Sequence, residues 1–152
     1  MGHQHGYLAE GHESIYRMEF AMDCNDDFFA SKAIYVMMRD ECKEEDVKLL
    51  QDSFEKLCHR LNLNLKHDNA KYMAGDKMTV ADFHLFHVFS VLVDNACVKH
   101  QKINDAAKEI LGKHEELMKW NTLMHEENKD YLESRHMAPF WEVKFLVKSH
   151  LK

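Results

Sequence analysis

Apolar residues recur at three- and four-residue intervals along most of the chain, and the points where that rhythm fails divide it into helical segments. From residue 14 to about residue 40, Ile15, Met18, Met22, Phe29, Ala33 and Val36 keep the spacing, with Asn25 in one slot of the stripe. This predicts one long amphipathic helix. The run Glu41-Cys42-Lys43-Glu44-Glu45 breaks the pattern, which resumes as Val47, Leu50, Phe54, Leu57, Cys58, Leu61 and Leu65 in a second helix of about five turns. Glu44, Glu45 and Asp46 fall in its first turn, where the helix dipole favours negative charge.

Residues 66 to 78 are polar and contain Gly75-Asp76, which predicts a loop. The next segment opens with Thr79-Val80-Ala81-Asp82, the spacing of a reciprocal N-terminal cap: the Thr79 hydroxyl faces the Asp82 amide while the Asp82 carboxylate reaches back to the Thr79 amide. Met78 and Phe83 occupy the two positions of a hydrophobic staple. Phe83, Leu85, Phe86, Val88, Phe89, Val91, Leu92 and Val93 then make the helix apolar nearly all round, so it belongs in the centre of a domain. A shorter helix with Ile103, Ala106, Ala107, Ile110 and Leu111 closes at Gly112, another carries Leu117, Trp120 and Met124, and a last one with Tyr131 and Leu132 is expected to be capped by Asn128. The fold class is therefore all-α, with about six helices, a buried central helix, no sheet and no internal repeat. Residues 1–12 read as an N-terminal extension, 13–139 as the helical domain and 140–152 as an aromatic and basic tail, in which Phe140, Trp141, Phe145 and Leu146 keep no clean period and want a surface to cover.

Composition narrows the class. At 152 residues, 45% apolar and 30% charged, the chain has the balance of one soluble globular domain. A single proline and five glycines leave little turn chemistry for a protein of many short strands. The formal charge of −6 argues against nucleic acid or anionic membranes as partners, and residues 1–56 alone carry 13 acidic and 6 basic side chains. Cys24, Cys42, Cys58 and Cys97 have irregular spacing and lie in apolar patterns, as reduced core thiols of an intracellular protein would. The first residues carry no legible targeting signal, and the most apolar stretch, 80–98, is interrupted by Asp82, His84, His87, Asp94 and Asn95, which argues against a membrane span.

The string Tyr72-Met73-Ala74-Gly75-Asp76-Lys77-Met78-Thr79-Val80-Ala81-Asp82-Phe83 resembles the segment of glutathione transferases in which a Gly-Asp loop leads into the capped, buried central helix of the C-terminal domain. Tyr7, Tyr16-Arg17-Met18-Glu19 and Met22-Asp23-Cys24-Asn25-Asp26-Asp27-Phe28 are similar to the first helix of that domain, and Trp120 with Tyr131-Leu132-Glu133-Ser134-Arg135 to its closing helices. The resemblance covers about residues 6 to 140. It implies a glutathione transferase C-terminal-like bundle that lacks the preceding thioredoxin-like domain, whose Tyr, Ser or Cys lowers the pKa of the glutathione thiol and whose cis-proline loop holds the tripeptide. The sole proline, Pro139, lies at the wrong end to serve that loop.

The expected function is accordingly a non-catalytic interaction or structural subunit docked in a larger assembly. The alternatives are a transferase component that works with a separate thioredoxin-like domain, and a carrier of apolar ligands. No catalytic residue, metal or cofactor is expected, and the partners are other proteins or a second copy of the chain. By the resemblance, Asp27 is the first-helix carboxylate that would contact glutathione in a neighbouring subunit, with Asp23 and Asp26 as competitors and a solvated acidic face as the plainer account. His84 and His87 stand one turn apart without a third ligand at matching spacing, so they read as buried or interfacial histidines. His3, His5 and His12 read as a surface end, and Met18, Met22, Met37 and Met38 as core filling or an adaptable apolar surface.

Overall fold

The computed structural model describes residues 6–31, 33–36, 41–94 and 100–134. They form α1 (His12–Ala30), α2 (Ala33–Val36), α3 (Glu44–Lys66), α4 (Val80–Leu92), α5 (Gln101–Leu111), α6 (Glu115–Glu127) and α7 (Lys129–Ser134). Among the described residues no strand forms beyond an isolated bridge between Tyr72 and Gly75. The expected order of helices is present, with one correction: the first does not run on to residue 40. It stops at Ala30, where the Ser31 amide closes on the Asp27 and Phe28 carbonyls and its hydroxyl also donates to the Phe28 carbonyl. A serine that bonds the preceding turn competes with the helix ladder for its acceptors.

A second correction concerns which face of α1 is inside. Its buried residues are Arg17, Ala21, Cys24, Asn25 and Phe28. The stripe read from the sequence meets that face at Asn25 and otherwise lies to one side of it: Met18 and Met22 are partly buried, and Ile15 and Phe29 are 37% and 36% exposed. The difference is physical in origin, because α1 is apolar on more than one side and the face that goes inward takes in Arg17, a charged residue.

α3 packs against α1, α2, α5 and α6, while α4 packs against α1, α5 and α6. Aromatic rings run through the shared core in edge-to-face or tilted contacts: Phe28 to Phe54 (centroids 5.9 Å apart), Phe54 to Phe89 (5.3 Å) and Phe89 to Trp120 (5.5 Å). Four helices are thereby joined by geometry that aromatic quadrupoles favour. Only α4 combines that position with near-complete burial; Val80, His84 and His87 mark its exposed side.

Two helix ends are closed by asparagines from other helices. Asn62 Oδ1, on α3, accepts from the Glu116 and Leu117 amides (3.1 and 3.2 Å) in the first turn of α6. Asn104, on α5, donates to the Leu92 and Val93 carbonyls (2.9 and 2.5 Å) at the end of α4. Orphan backbone groups inside a bundle need such partners, since water cannot reach them. Asn128 stands immediately before α7, and its carbonyl accepts from the Leu132 amide (2.9 Å), while its side-chain amide turns back to the Met124 carbonyl (2.8 Å) and so finishes α6.

Candidate functional site

A buried polar centre lies where the 70–79 loop enters α4. Asp82 is fully buried, and its Oδ2 accepts from the Thr79 amide (2.8 Å) and the Thr79 hydroxyl (3.0 Å). The Asp82 amide bonds the Thr79 carbonyl at 3.1 Å, and the Val80 amide, another orphan donor of this helix start, bonds the Tyr7 carbonyl at 2.9 Å. Oδ1 accepts from the Met73 amide and from the Trp120 indole, each at 2.9 Å. One carboxylate thus joins the loop, α4 and α6. Burial pushes its pKa up, and the four hydrogen bonds pull against that rise.

Phe83 meets Tyr7 edge-to-face at 5.1 Å, and both Met78 and Phe83 pack partly buried against the core. The loop itself turns at Gly75, where φ is 128°, a conformation open to glycine alone; the Tyr72 and Gly75 backbones exchange bonds of 2.8 and 3.1 Å. At its other end Asp68 and Asn69 hold φ of 60° and 51°, as Asp and Asn tolerate, and stop α3.

Asp27 lies on the exposed side of the α1–α3 seam. Its carboxylate is 2.7 Å from Nη1 of Arg60, with both side chains half or more exposed. Asp23 and Asp26 are also exposed. Beneath the pair, a hollow of about 180 Å³ is lined by Cys24, Asp27, Ser31, Lys56 and Arg60 among others. Burial raises the pKa of the Cys24 thiol, and Arg60 offsets only part of this. Burial raises Cys58 well above its usual value, and burial together with the Glu127 carboxylate, 2.6 Å from the phenol oxygen, raises Tyr72. Each of these three groups is held towards its protonated, unreactive form.

His84 and His87 are exposed on α4, which rules out the buried alternative; His87 lines a hollow of about 370 Å³ with Phe83, Phe86, Asn128 and Tyr131. Two other histidines do pair across the bundle, His114 with Glu55 at 2.9 Å and His125 with Asp94 at 3.2 Å. Among the described residues one group, Glu13, His67 and Asp68, has side-chain atoms close enough to share a cation, and all three are exposed. Phe140, Trp141, Phe145 and Leu146, with His3, His5, Met37, Met38 and Cys97, lie outside the described residues. Cys42 sits in the loop before α3 rather than in a helix.

The residues least visible in the sequence are Arg17 and Asn64. Arg17, on the inward face of α1, donates to the Asn64 carbonyl (2.6 Å) and its Oδ1 (3.3 Å), while Asn64 Nδ2 donates to the Met73 carbonyl (2.9 Å). A register that placed Arg17 rather than Met18 inward would have shown it.

Comparison with known families finds a match of residues 26–135 to the family described as glutathione S-transferase, C-terminal domain. No curated protein and no solved structure matches the chain.

Proposed function

Because the chain belongs to the glutathione S-transferase C-terminal domain family, we propose that it is a non-catalytic interaction subunit that docks on another protein, or on a second copy of itself, through the outer side of α1. The observation that carries this reading is the row Ile15, Met22 and Phe29. Its seven-residue steps return to one side of the helix, and its two ends are more than a third exposed although all three residues are apolar. Met22 between them is partly buried against the core, and large apolar side chains held at the surface at both ends of such a row favour a covering surface. Tyr16 and Tyr35 extend the exposed apolar surface of the α1–α2 segment.

The non-catalytic part rests on acidity. Transfer to an electrophile needs a thiolate held by a group that lowers its pKa, and Cys24, Cys58 and Tyr72 are all shifted the other way. Asp27 would meet a glutathione amine only in competition with Arg60, which already holds the carboxylate.

Light scattering on the native protein and on Ile15→Glu/Phe29→Glu tests the docking face. The expected result is an assembly heavier than one chain that the double variant dissolves while its helical circular dichroism persists. A native protein that runs as a lone monomer and brings down no partner would sink the proposal. A glutathione-conjugation rate above background from the chain alone would remove the non-catalytic reading.

A further inference from the structure

Two carboxylates converge on one imidazole nitrogen where the first turn of α1 meets the turn that ends α3. Nδ1 of His67 lies 2.9 Å from Oδ2 of Asp68 and 3.8 Å from Oε1 of Glu13, and the three ligand atoms stand within 4.8 Å of one another. A proton on Nδ1 serves only one of these oxygens, because 2.9 Å is a hydrogen bond and 3.8 Å is not. A divalent cation between them serves both carboxylates and the ring together. Bonds of about 2.0–2.2 Å to nitrogen and carboxylate oxygen, at a tetrahedral angle, put neighbouring ligand atoms about 3.4 Å apart. Asp68 has to open and Glu13 to close by about half an ångström each, and side chains roughly two-thirds exposed make that move without repacking.

The backbone that carries the three side chains is tied in place. One turn on from Glu13, Arg17 donates to the carbonyl of Asn64 (2.6 Å), three residues before His67, so α1 and the end of α3 are joined beside the group. The Ala70 amide closes the turn on the Leu65 carbonyl at 3.0 Å. The surroundings are negative: Glu13 and Asp68 line a hollow of about 240 Å³ with Asp76, three carboxylates against the single guanidinium of Arg17. Glu13 and His67 also line a groove of about 440 Å³ between α1 and α3, together with Tyr16 and Leu63. Water reaches the group, so the coordination positions that the protein leaves open are filled without cost.

We infer that Glu13, His67 and Asp68 form a site for a divalent first-row transition-metal ion, Zn²⁺ above all, with water completing the coordination. The donor set chooses the class of ion: an imidazole nitrogen beside two carboxylates suits Zn²⁺ and its neighbours, whereas Ca²⁺ and Mg²⁺ take oxygen ligands. The bound ion links the first turn of α1 to the end of α3, more than fifty residues away in the chain. It needs neither Ile15 nor Phe29, so the site and the docking face can each fail without the other.

The test is isothermal titration calorimetry of the intact chain with Zn²⁺ and with Mg²⁺, repeated on Glu13→Gln, His67→Ala and His12→Ala, all changes at exposed positions. The chain holds 12 histidines and 4 cysteines, so the difference between variants decides, rather than binding as such. The expected result is a saturable Zn²⁺ site in the micromolar range that Mg²⁺ does not occupy. Glu13→Gln should weaken it by about tenfold or more, His67→Ala should abolish it, and His12→Ala should leave it unchanged. In nitrogen NMR of the native chain the His67 Nδ1 resonance should move as the site fills. Equal titrations of the native chain and His67→Ala, equal binding of Mg²⁺, an unmoved His67 resonance, or loss of the site in His12→Ala alone would each mean an adventitious ion only and overturn the inference.

Discussion

The indole N–H of Trp120 donates to Oδ1 of Asp82 at 2.9 Å, so a residue in the middle of α6 helps to seat the first turn of α4. The other oxygen of that carboxylate holds Thr79, and Oδ1 also takes the Met73 amide. Asp82→Ala therefore does more than remove a helix cap. An isolated cap contributes about 1 kcal/mol, but here the Met73, Thr79 and Trp120 donors would be left buried and unmet, at roughly 1–3 kcal/mol each before relaxation. The expected loss is on the order of 3–5 kcal/mol, seen as a lower urea midpoint at unchanged slope.

The same carboxyl makes stability depend on pH in a direction opposite to that of most acidic side chains. Burial raises its pKa, so between the unfolded value of about 3.9 and the raised folded value the native state binds more protons than the unfolded chain. The contribution of Asp82 is thus greatest at the acid edge of that window, declines as pH rises through it, and is constant above. Urea titrations of the native protein and Asp82→Asn from pH 4 to 8 should show their stability difference narrowing with pH and then levelling. A difference that widened through the window would contradict the assignment.

Asn25 is fully buried on α1, and neither its Oδ1 nor its Nδ2 has a hydrogen-bond partner. Asn25→Leu keeps the approximate shape and removes two unmet polar groups. It should stabilise the protein by about 1–3 kcal/mol, a rise of roughly 2–4 °C in melting temperature per kcal/mol for a chain of this size. Differential scanning calorimetry would measure the shift, and a lowered melting temperature would mean that an ordered water satisfies the amide.

Asn62→Ala removes the acceptor that meets two amides of α6. The neighbouring His114 offers no side-chain cap in its place. The expected cost is about 1–2 kcal/mol. Hydrogen exchange of the Glu116 and Leu117 amides should accelerate more than that of the middle of α6.

Much of this architecture is written locally. Apolar spacing marks α3 to α6, and the three-residue step from Thr79 to Asp82 points to the cap because a helix start uses nearby residues. What that step leaves out is the other half of the Asp82 environment, since Trp120 is 38 positions away and nothing in its own helix pattern names a partner. The inward face of α1 was misread for a related reason. Periodicity places Asn25 correctly in the stripe, but it weighs residue type, whereas Arg17 is inside because Asn64 is there to receive it. The groove between α1 and α3 was equally hidden, as Tyr16 and Leu63, which line it, lie more than forty residues apart in the chain.

The asparagines that close α4 and α6 from neighbouring helices also shape how this chain comes together. A helix whose terminal amides are met only by another helix gains little by forming early, so α6 has to find α3 before its first turn is secure. A peptide of residues 113–128 on its own should be largely unstructured, and removing either Asn62 or Asn104 should cost unfolding cooperativity as well as free energy. Helix boundaries in this chain are in that sense agreements between segments, reached during assembly rather than carried by each segment into it.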